Sequence, residues 1–264
     1  MNATEILAGV DVGHINTKTA IMKGRKILGY CTVPTGFDVV AAAQAALHDA
    51  SENAGISPGE LGDIVATGIF KDVIGTSPLN VSGTVPEYVA NAKGALFLNK
   101  NSRTVIDIGG NIQKAVSYDQ NGDLMDVTQN DKCADGLGIF FTTMAKALGL
   151  NEKKMADLAL KSTNKLSIAI QCALSAESDA IDLICQGRDT ADVADAVTRF
   201  IVERVADMCT YMSLTKEIVV AGGLAKSEAL VKHLSSLLKE EVSVLKYPEY
   251  VGAIGAVIGY EGRR

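Results

Sequence analysis

Thr104-Val105-Ile106-Asp107-Ile108-Gly109-Gly110-Asn111 is a mostly apolar, β-branched run that ends in an aspartate and two glycines. Such a run predicts a buried strand breaking into a tight turn, where glycine lets backbone N–H groups close in on an anion. Segments 114–118 and 124–128, joined through Asn121-Gly122, predict a β-hairpin directly after it. The same order opens the chain: an apolar run at 6–12 ends in Asp11-Val12-Gly13, and further apolar runs follow at 19–22 and 27–33. Two copies of strand, Asp-x-Gly, strand, strand predict a duplicated α/β domain with a nucleotide between the halves. In the first copy Thr17 and Lys18 set a hydroxyl and an ammonium beside the turn, which suits a phosphate. Taken alone, that copy also reads as an ordinary hairpin with a loop aspartate.

The remaining segments cover these strands. Periodicity predicts helices at 37–53, stopped by Gly55, and at 87–99 after Pro86, with a buried strand at 64–68 before a turn. Four more helices are predicted at 139–148, 152–161, 173–184 and 191–211. A strand then breaks at Gly222-Gly223, where a bare turn lets a flat ring lie against the backbone, and a helix follows at 227–238. After a short strand at 242–245, the small residues Gly252-Ala253-Ile254-Gly255-Ala256 open a terminal helix able to pack closely on another element.

The chain's 264 residues, 47% hydrophobic and 21% charged, suit two globular domains, predicted at 1–100 and 101–264 with the last helix packing back on the first. A net charge of −6 without a dense basic run argues against a nucleic-acid partner. No apolar run reaches bilayer length, and residues 1–6 lack a secretory pattern, so a cytoplasmic protein with no membrane partner is expected. Five cysteines in a reducing compartment point to ligands or buried thiols.

Two cysteines stand apart from the others. Cys133 lies in Asn130-Asp131-Lys132-Cys133-Ala134-Asp135-Gly136-Leu137-Gly138, and Cys172 in Gln171-Cys172-Ala173-Leu174-Ser175-Ala176-Glu177-Ser178. Each precedes a helix whose N-terminus favours a thiolate, the form a metal requires. Cys31, Cys185 and Cys209 fall in apolar strands or helices and are expected to pack. His14 is the only histidine inside a motif, while His48 and His233 are expected at the surface or its boundary.

Asp11-Val12-Gly13, Asp107-Ile108-Gly109-Gly110 and Ala221-Gly222-Gly223 resemble, in order, the two phosphate motifs and the adenosine motif of the actin/hexokinase/Hsp70 ATPase superfamily. With the two cysteine motifs added, the chain resembles the BadF/BadG/BcrA/BcrD ATPase family over nearly its whole length. That family includes activators of 2-hydroxyacyl-CoA dehydratases and ATPase subunits of benzoyl-CoA reductase. The resemblance implies duplicated ribonuclease-H-like lobes. It implies that Asp11 and Asp107 hold a Mg2+-bound water, that Gly13, Thr17, Lys18, Gly109, Gly110 and Asn111 cradle the phosphates of ATP, and that Gly222 and Gly223 pass beside adenosine. It further implies that Cys133 and Cys172 are metal ligands to a [4Fe–4S] cluster shared between two subunits.

The implied partners are a second copy or a related ATPase subunit, a donor such as ferredoxin or flavodoxin, and an iron–sulfur reductase or dehydratase as electron acceptor. The chain departs from the activator pattern in four places. Gly109-Gly110 is followed by Asn111-Ile112 where activators carry glutamine and aspartate, and His14-Ile15-Asn16 replaces small hydroxylated residues. Leu137 replaces a small residue, and Asn91 stands where many relatives have histidine. The absent acid, with segments 94–99 and 250–256, resembles the D-type benzoyl-CoA reductase subunit, and the expectation leans toward that subunit over a dehydratase activator. A small-molecule kinase and a non-hydrolysing partner on the same fold are the remaining alternatives.

Overall fold

Runs of consecutive buried residues in β1 and β2, covered on both faces, build the first sheet. In the computed structural model, which describes residues 5–170 and 172–261, β1 (Ile6–Val12), β2 (Asn16–Lys23) and β3 (Lys26–Pro34) form an antiparallel meander. Met1 to Thr4, read above for the lack of a secretory pattern, and Gln171 of the second cysteine motif lie outside the described residues. Helix α1 (Val39–Ala54) begins where the Asp38 carboxylate accepts from Ala41 N at 2.9 Å. It stops at Gly55, whose φ of 67° only glycine adopts readily. The sheet is completed by β4 (Leu61–Thr67) and β5 (Gly83–Thr84), both parallel additions on the β1 side, in the order β3-β2-β1-β4-β5. Between them lies the one-turn α2 (Lys71–Gly75), and α3 (Glu87–Leu98) follows.

The second half repeats the plan. β6 (Thr104–Ile108) pairs antiparallel with β7 (Gln113–Tyr118), and β8 (Leu124–Gln129) lies beside β7. Four helices follow: α4 (Leu137–Ala147), α5 (Glu152–Ala159), α6 (Ala173–Cys185) and α7 (Thr190–Cys209). Then β9 (Ile218–Ala221) pairs parallel with β6, α8 (Glu228–Leu238) crosses, and β10 (Val242–Val244) pairs parallel with β9. The order β10-β9-β6-β7-β8 is the first sheet's order read again from the other edge, three meander strands and two parallel additions. This is the duplicated α/β fold expected. The last helix, α9, is Val251–Glu261.

The chain divides into two compact units: Met1–Arg103 with Tyr118–Met125 and Glu249–Arg264, and Thr104–Ser117 with Asp126–Pro248. In the first, α9 packs on α3 and β1. A Cβ at Gly94 would collide with Val251 O, one at Gly255 with Ala90 O, and one at Gly9 with Ala253 O, so the small residues set how closely these elements approach. In the second, Phe140, Phe141 and Met144 of α4 and Ile201 and Val205 of α7 pack with Ile106 and Ile108 of β6 in one core. Neither α2 nor β5 is foreseen by the sequence pattern. Both are too short to show a period, and β5 exists only because it adds to the edge of β4. Cys185, expected to pack, is exposed, because it lies in the last turn of α6 on that helix's outer face.

Candidate functional site

In the first unit the parallel pair β1 and β4 ends with Asp11 beside Thr67. Asp11 is half-buried, and its Oδ2 stands 3.8 Å from Lys18 Nζ. Close backbone confines that carboxylate: a Cβ at Gly68, where φ is +93°, would lie 2.7 Å from Asp11 Oδ1, and one at Gly252 would lie 2.7 Å from its Oδ2. The turn after it is closed by Gly13 N donating to Asn16 O at 3.2 Å. Thr17 has no exposed surface. Its hydroxyl meets Thr35 Oγ1 at 2.9 Å, and Thr35 spends its own proton on Gly13 O at 2.8 Å, so Thr17 donates to Thr35. Thr17 thus braces the turn from below, while Lys18 keeps a partly exposed ammonium beside Asp11. Thr67 is buried, and its hydroxyl has no partner among the described residues. His14 is exposed and meets the Phe70 ring edge-on at 5.7 Å.

The second unit presents the matching turn. Asp107, next to last in β6, is half-exposed, with Ala221 as its register partner on β9. The backbone of Gly222, at φ +89°, passes so close that a Cβ there would sit 2.6 Å from Asp107 Oδ1. Gly222 is buried, and Gly223 is exposed with open space beside it. Helix α4 begins directly on the glycine turn: Gly136 N donates to Asn111 O at 2.8 Å and Ile139 N to Gly110 O at 3.1 Å. A Cβ on Gly138 would lie 2.7 Å from Gly110 Cα, so glycine is required for that approach. Buried Gln113 donates to Asn111 O at 3.1 Å, and its Oε1 has no partner among the described residues.

Cys133 lies in the 3-10 turn Lys132–Ala134, immediately before α4, and is exposed. Asn130 joins that turn to the glycine loop. Its Oδ1 accepts from Gln113 N, and its Nδ2 donates at 2.8 Å both to Asp131 O and to Asp135 Oδ1. Sequence reading places Asn130 within the cysteine stretch without giving it a role, and misses Thr35 because only strand pairing brings it to the first turn. Cys172 caps α6, which packs against the Cys133 turn. The backbone N–H groups of Ser175 and Leu174 hold its thiol below the ordinary value. Cys209 differs, since burial pushes its thiol up to about 12.

One unit therefore brings together Asp11, Gly13, Thr17 and Lys18, and the other Asp107, Gly109, Gly110, Asn111, Gly222, Gly223 and the two cysteines. Residues 8–259 match the BadF/BadG/BcrA/BcrD ATPase family. The chain is 32% identical over 251 residues to the activator of lactoyl-CoA dehydratase from Anaerotignum propionicum, covering 95% of each. It is 26% identical over 264 residues to the D-type subunit of benzoyl-CoA reductase from Thauera aromatica, covering 96% of this chain and 92% of that one. Its structure resembles that of the activator of the 2-hydroxyisocaproyl-CoA dehydratase from Clostridium difficile with bound ADPNP, at TM-score 0.89 and 25% identity over 98% of this chain and 97% of the other. A ROK family glucokinase from Streptomyces griseus, 15% identical at TM-score 0.60, shares the fold alone. No helix among the described residues is long and apolar enough to cross a membrane. A duplicated hexokinase-type fold, paired Asp-x-Gly turns and a match spanning nearly the whole chain make this protein a member of the BadF/BadG/BcrA/BcrD ATPase family, an ATP-hydrolysing enzyme.

Proposed function

We propose that this protein is the ATP-driven activator of a 2-hydroxyacyl-CoA dehydratase. The expectation from Ile112 leaned toward a benzoyl-CoA reductase component. The relatives favour the activator, since two dehydratase activators match at 32% and 31% identity against 26% for the reductase component. The observation that carries the reading is the hydrogen-bonded connection between the second glycine turn and the Cys133 turn. Gly136 N and Ile139 N donate to the turn's carbonyls, and Asn130 bonds both segments.

The residues fit the groups the family implies. Asp11 and Asp107 are carboxylates at strand ends, each pressed by glycine backbone that leaves no room for a side chain. Buried Thr67 and Gln113 offer unpartnered polar atoms next to those turns, as polar ground for phosphate or water requires. Bound Mg2+ would supply charge neutralisation at the phosphates. In the first unit Asp11 would face the ion's water and the turn at Gly13 would lie against a phosphate; in the second Asp107 would face such water, Gly109 and Gly110 would present backbone N–H groups to a phosphate, and Gly222 and Gly223 would leave a flat path beside adenosine.

Cys133 and Cys172 are two accessible thiols on adjoining turns, half of a four-thiolate set, so a second chain supplies the rest. A [4Fe–4S] cluster held there would supply one-electron transfer at low potential. Changes at Gly110 and Asn111 reach Cys133 through the start of α4 and Asn130. The acceptor is the dehydratase, and the donor is a small low-potential carrier such as ferredoxin or flavodoxin.

The test is an anaerobic assay in which the protein, ATP, Mg2+ and a reductant are added to an inactive 2-hydroxyacyl-CoA dehydratase, with a benzoyl-CoA reductase core as the comparison. ATP-dependent dehydration supports the proposal. Activity only with the reductase core would return the reading to the D-type component.

A further inference from the structure

A cleft of about 330 Å3 lies in the second unit among the end of α5, the middle of α7 and α8, and the segment 162–165. It shares no residue with the nucleotide or cysteine motifs. The chain carries a net charge of −6, yet Lys165, Arg199, Lys232 and His233 line this cleft against one acid, Asp195. That acid is already committed: Oδ1 lies 2.7 Å from His233 Nε2 and Oδ2 lies 2.9 Å from Arg199 Nε. Lys165 and Lys232 pair with no carboxylate among the described residues. Unpaired ammonium groups facing one concave surface repel each other unless an anion joins them.

Hydrogen bonds tie one wall of the cleft to α7. Asp192, buried at the start of α7, accepts from Ser162 Oγ at 2.9 Å, Thr163 N at 2.8 Å, Asn164 N at 3.0 Å and Asn164 Nδ2 at 2.9 Å. Both oxygens of that carboxylate accept from the segment, which places Lys165 directly after the tethered residues at the rim. Beyond it Arg199 donates to Leu166 O, and Asp179 Oδ2 accepts from Ala169 N and Ile170 N. The same stretch of backbone therefore forms the cleft wall and leads, two residues past Ile170, into Cys172.

We propose that this cleft binds a small phosphate-bearing anion, separate from the nucleotide, held by Lys165 and Lys232 and backed by the Asp195–His233–Arg199 group. A dianionic phosphate meets both free ammonium groups, whereas a monocarboxylate would leave one unmatched, and lysine binds phosphate as a point charge without needing planar geometry. Through Arg199 and the 162–170 segment, the bound anion would stiffen the approach to Cys172.

Isothermal titration calorimetry with inorganic phosphate and with glycerol 3-phosphate, on the full chain saturated with a non-hydrolysable ATP analogue, tests this. One equivalent per chain is expected, with affinity at least tenfold weaker in Lys165→Gln and in Lys232→Gln and largely retained in Lys232→Arg, while binding of the analogue is unchanged. Tighter binding of the ester supports a phosphorylated metabolite, and tighter binding of inorganic phosphate supports the free anion. Absence of binding at millimolar concentration, equal affinity in both glutamine variants and wild type, or loss of binding once the analogue is present would each overturn the site. Both lysines are exposed, so their replacement leaves the fold intact.

Discussion

A Cβ at Gly222 would lie 2.6 Å from Asp107 Oδ1, so only glycine lets the backbone pass this close to the carboxylate. Replacing it with asparagine keeps the shape and removes the charge. Asp107→Asn is expected to slow ATP hydrolysis by about 100-fold or more while nucleotide binding changes little, read by steady-state turnover beside equilibrium nucleotide titration. Thiol chemistry is equally residue-specific. In cluster-free protein, Cys172, with its thiol lowered by the Ser175 and Leu174 N–H groups, is expected to alkylate well before Cys209, whose burial raises its thiol to about 12. Mass spectrometry of timed iodoacetamide digests gives the order.

Asp192 supplies a pH prediction. The Asn164 backbone N–H, followed by that residue's side chain, pulls its carboxyl down to about 2. A depressed carboxyl stabilises the fold above its unfolded value of about 3.9 and loses that contribution as pH falls through about 2. Protection of the Thr163 and Asn164 amides should therefore hold above about pH 4 and fall between about pH 4 and pH 2. Asp192→Asn should remove that dependence in amide exchange measurements.

At the scale of elements, packing follows from small residues and single polar clamps. Gly94→Ala or Gly255→Ala drives a methyl into the facing backbone of α9 or α3, and each is expected to cost about 1–3 kcal/mol or more in denaturant unfolding. Asn130→Ala removes the bond that Gln113 N makes and both bonds from Nδ2, at an expected cost of about 1–3 kcal/mol. It should also weaken the effect of nucleotide on Cys133. Reactivity of that thiol in cluster-free protein, with and without ATP analogue, reads the coupling, and a nucleotide effect equal to wild type would contradict it.

The elements with strong local chemistry were legible in the sequence. Gly55 ends α1 as its position requires, Asn121-Gly122 forms the hairpin turn with Gly122 at φ +76°, and the Gly252–Ala256 run makes the close-packed α9. What stayed hidden depends on tertiary pairing. The two-residue β5 is defined by its neighbour, Thr35 reaches Gly13 only through the β2–β3 register, and Cys185 faces outward because of which side α6 buries. Thr17 looked like a phosphate-facing hydroxyl by spacing alone, and its complete burial assigns it to bracing the turn.

Across the whole molecule, duplication is the organising fact, and one strand order serves both sheets. Each sheet's first strand carries an aspartate as its next-to-last residue before a glycine turn, yet only the second copy continues into a cysteine-bearing turn and a helix that packs on the glycine turn. In the proposed reading the copies do different work: both would face phosphates, and only the second is hydrogen-bonded to the Cys133 turn. The fold alone could not have separated a kinase from an electron donor, since a ROK glucokinase shares it. The two cysteine turns are what the proposed electron-donor reading adds to that fold. Iron and sulfide content, with the electron paramagnetic resonance spectrum of anaerobically purified, dithionite-reduced protein, therefore tests the central claim most directly when wild type is set beside Cys133→Ser and Cys172→Ser. About four irons per dimer and a reduced-cluster signal, both lost in either variant, are the results predicted for one cluster shared by two chains. Wild-type protein devoid of iron even after reconstitution with iron and sulfide would contradict it, as would either serine variant keeping the full iron content and signal.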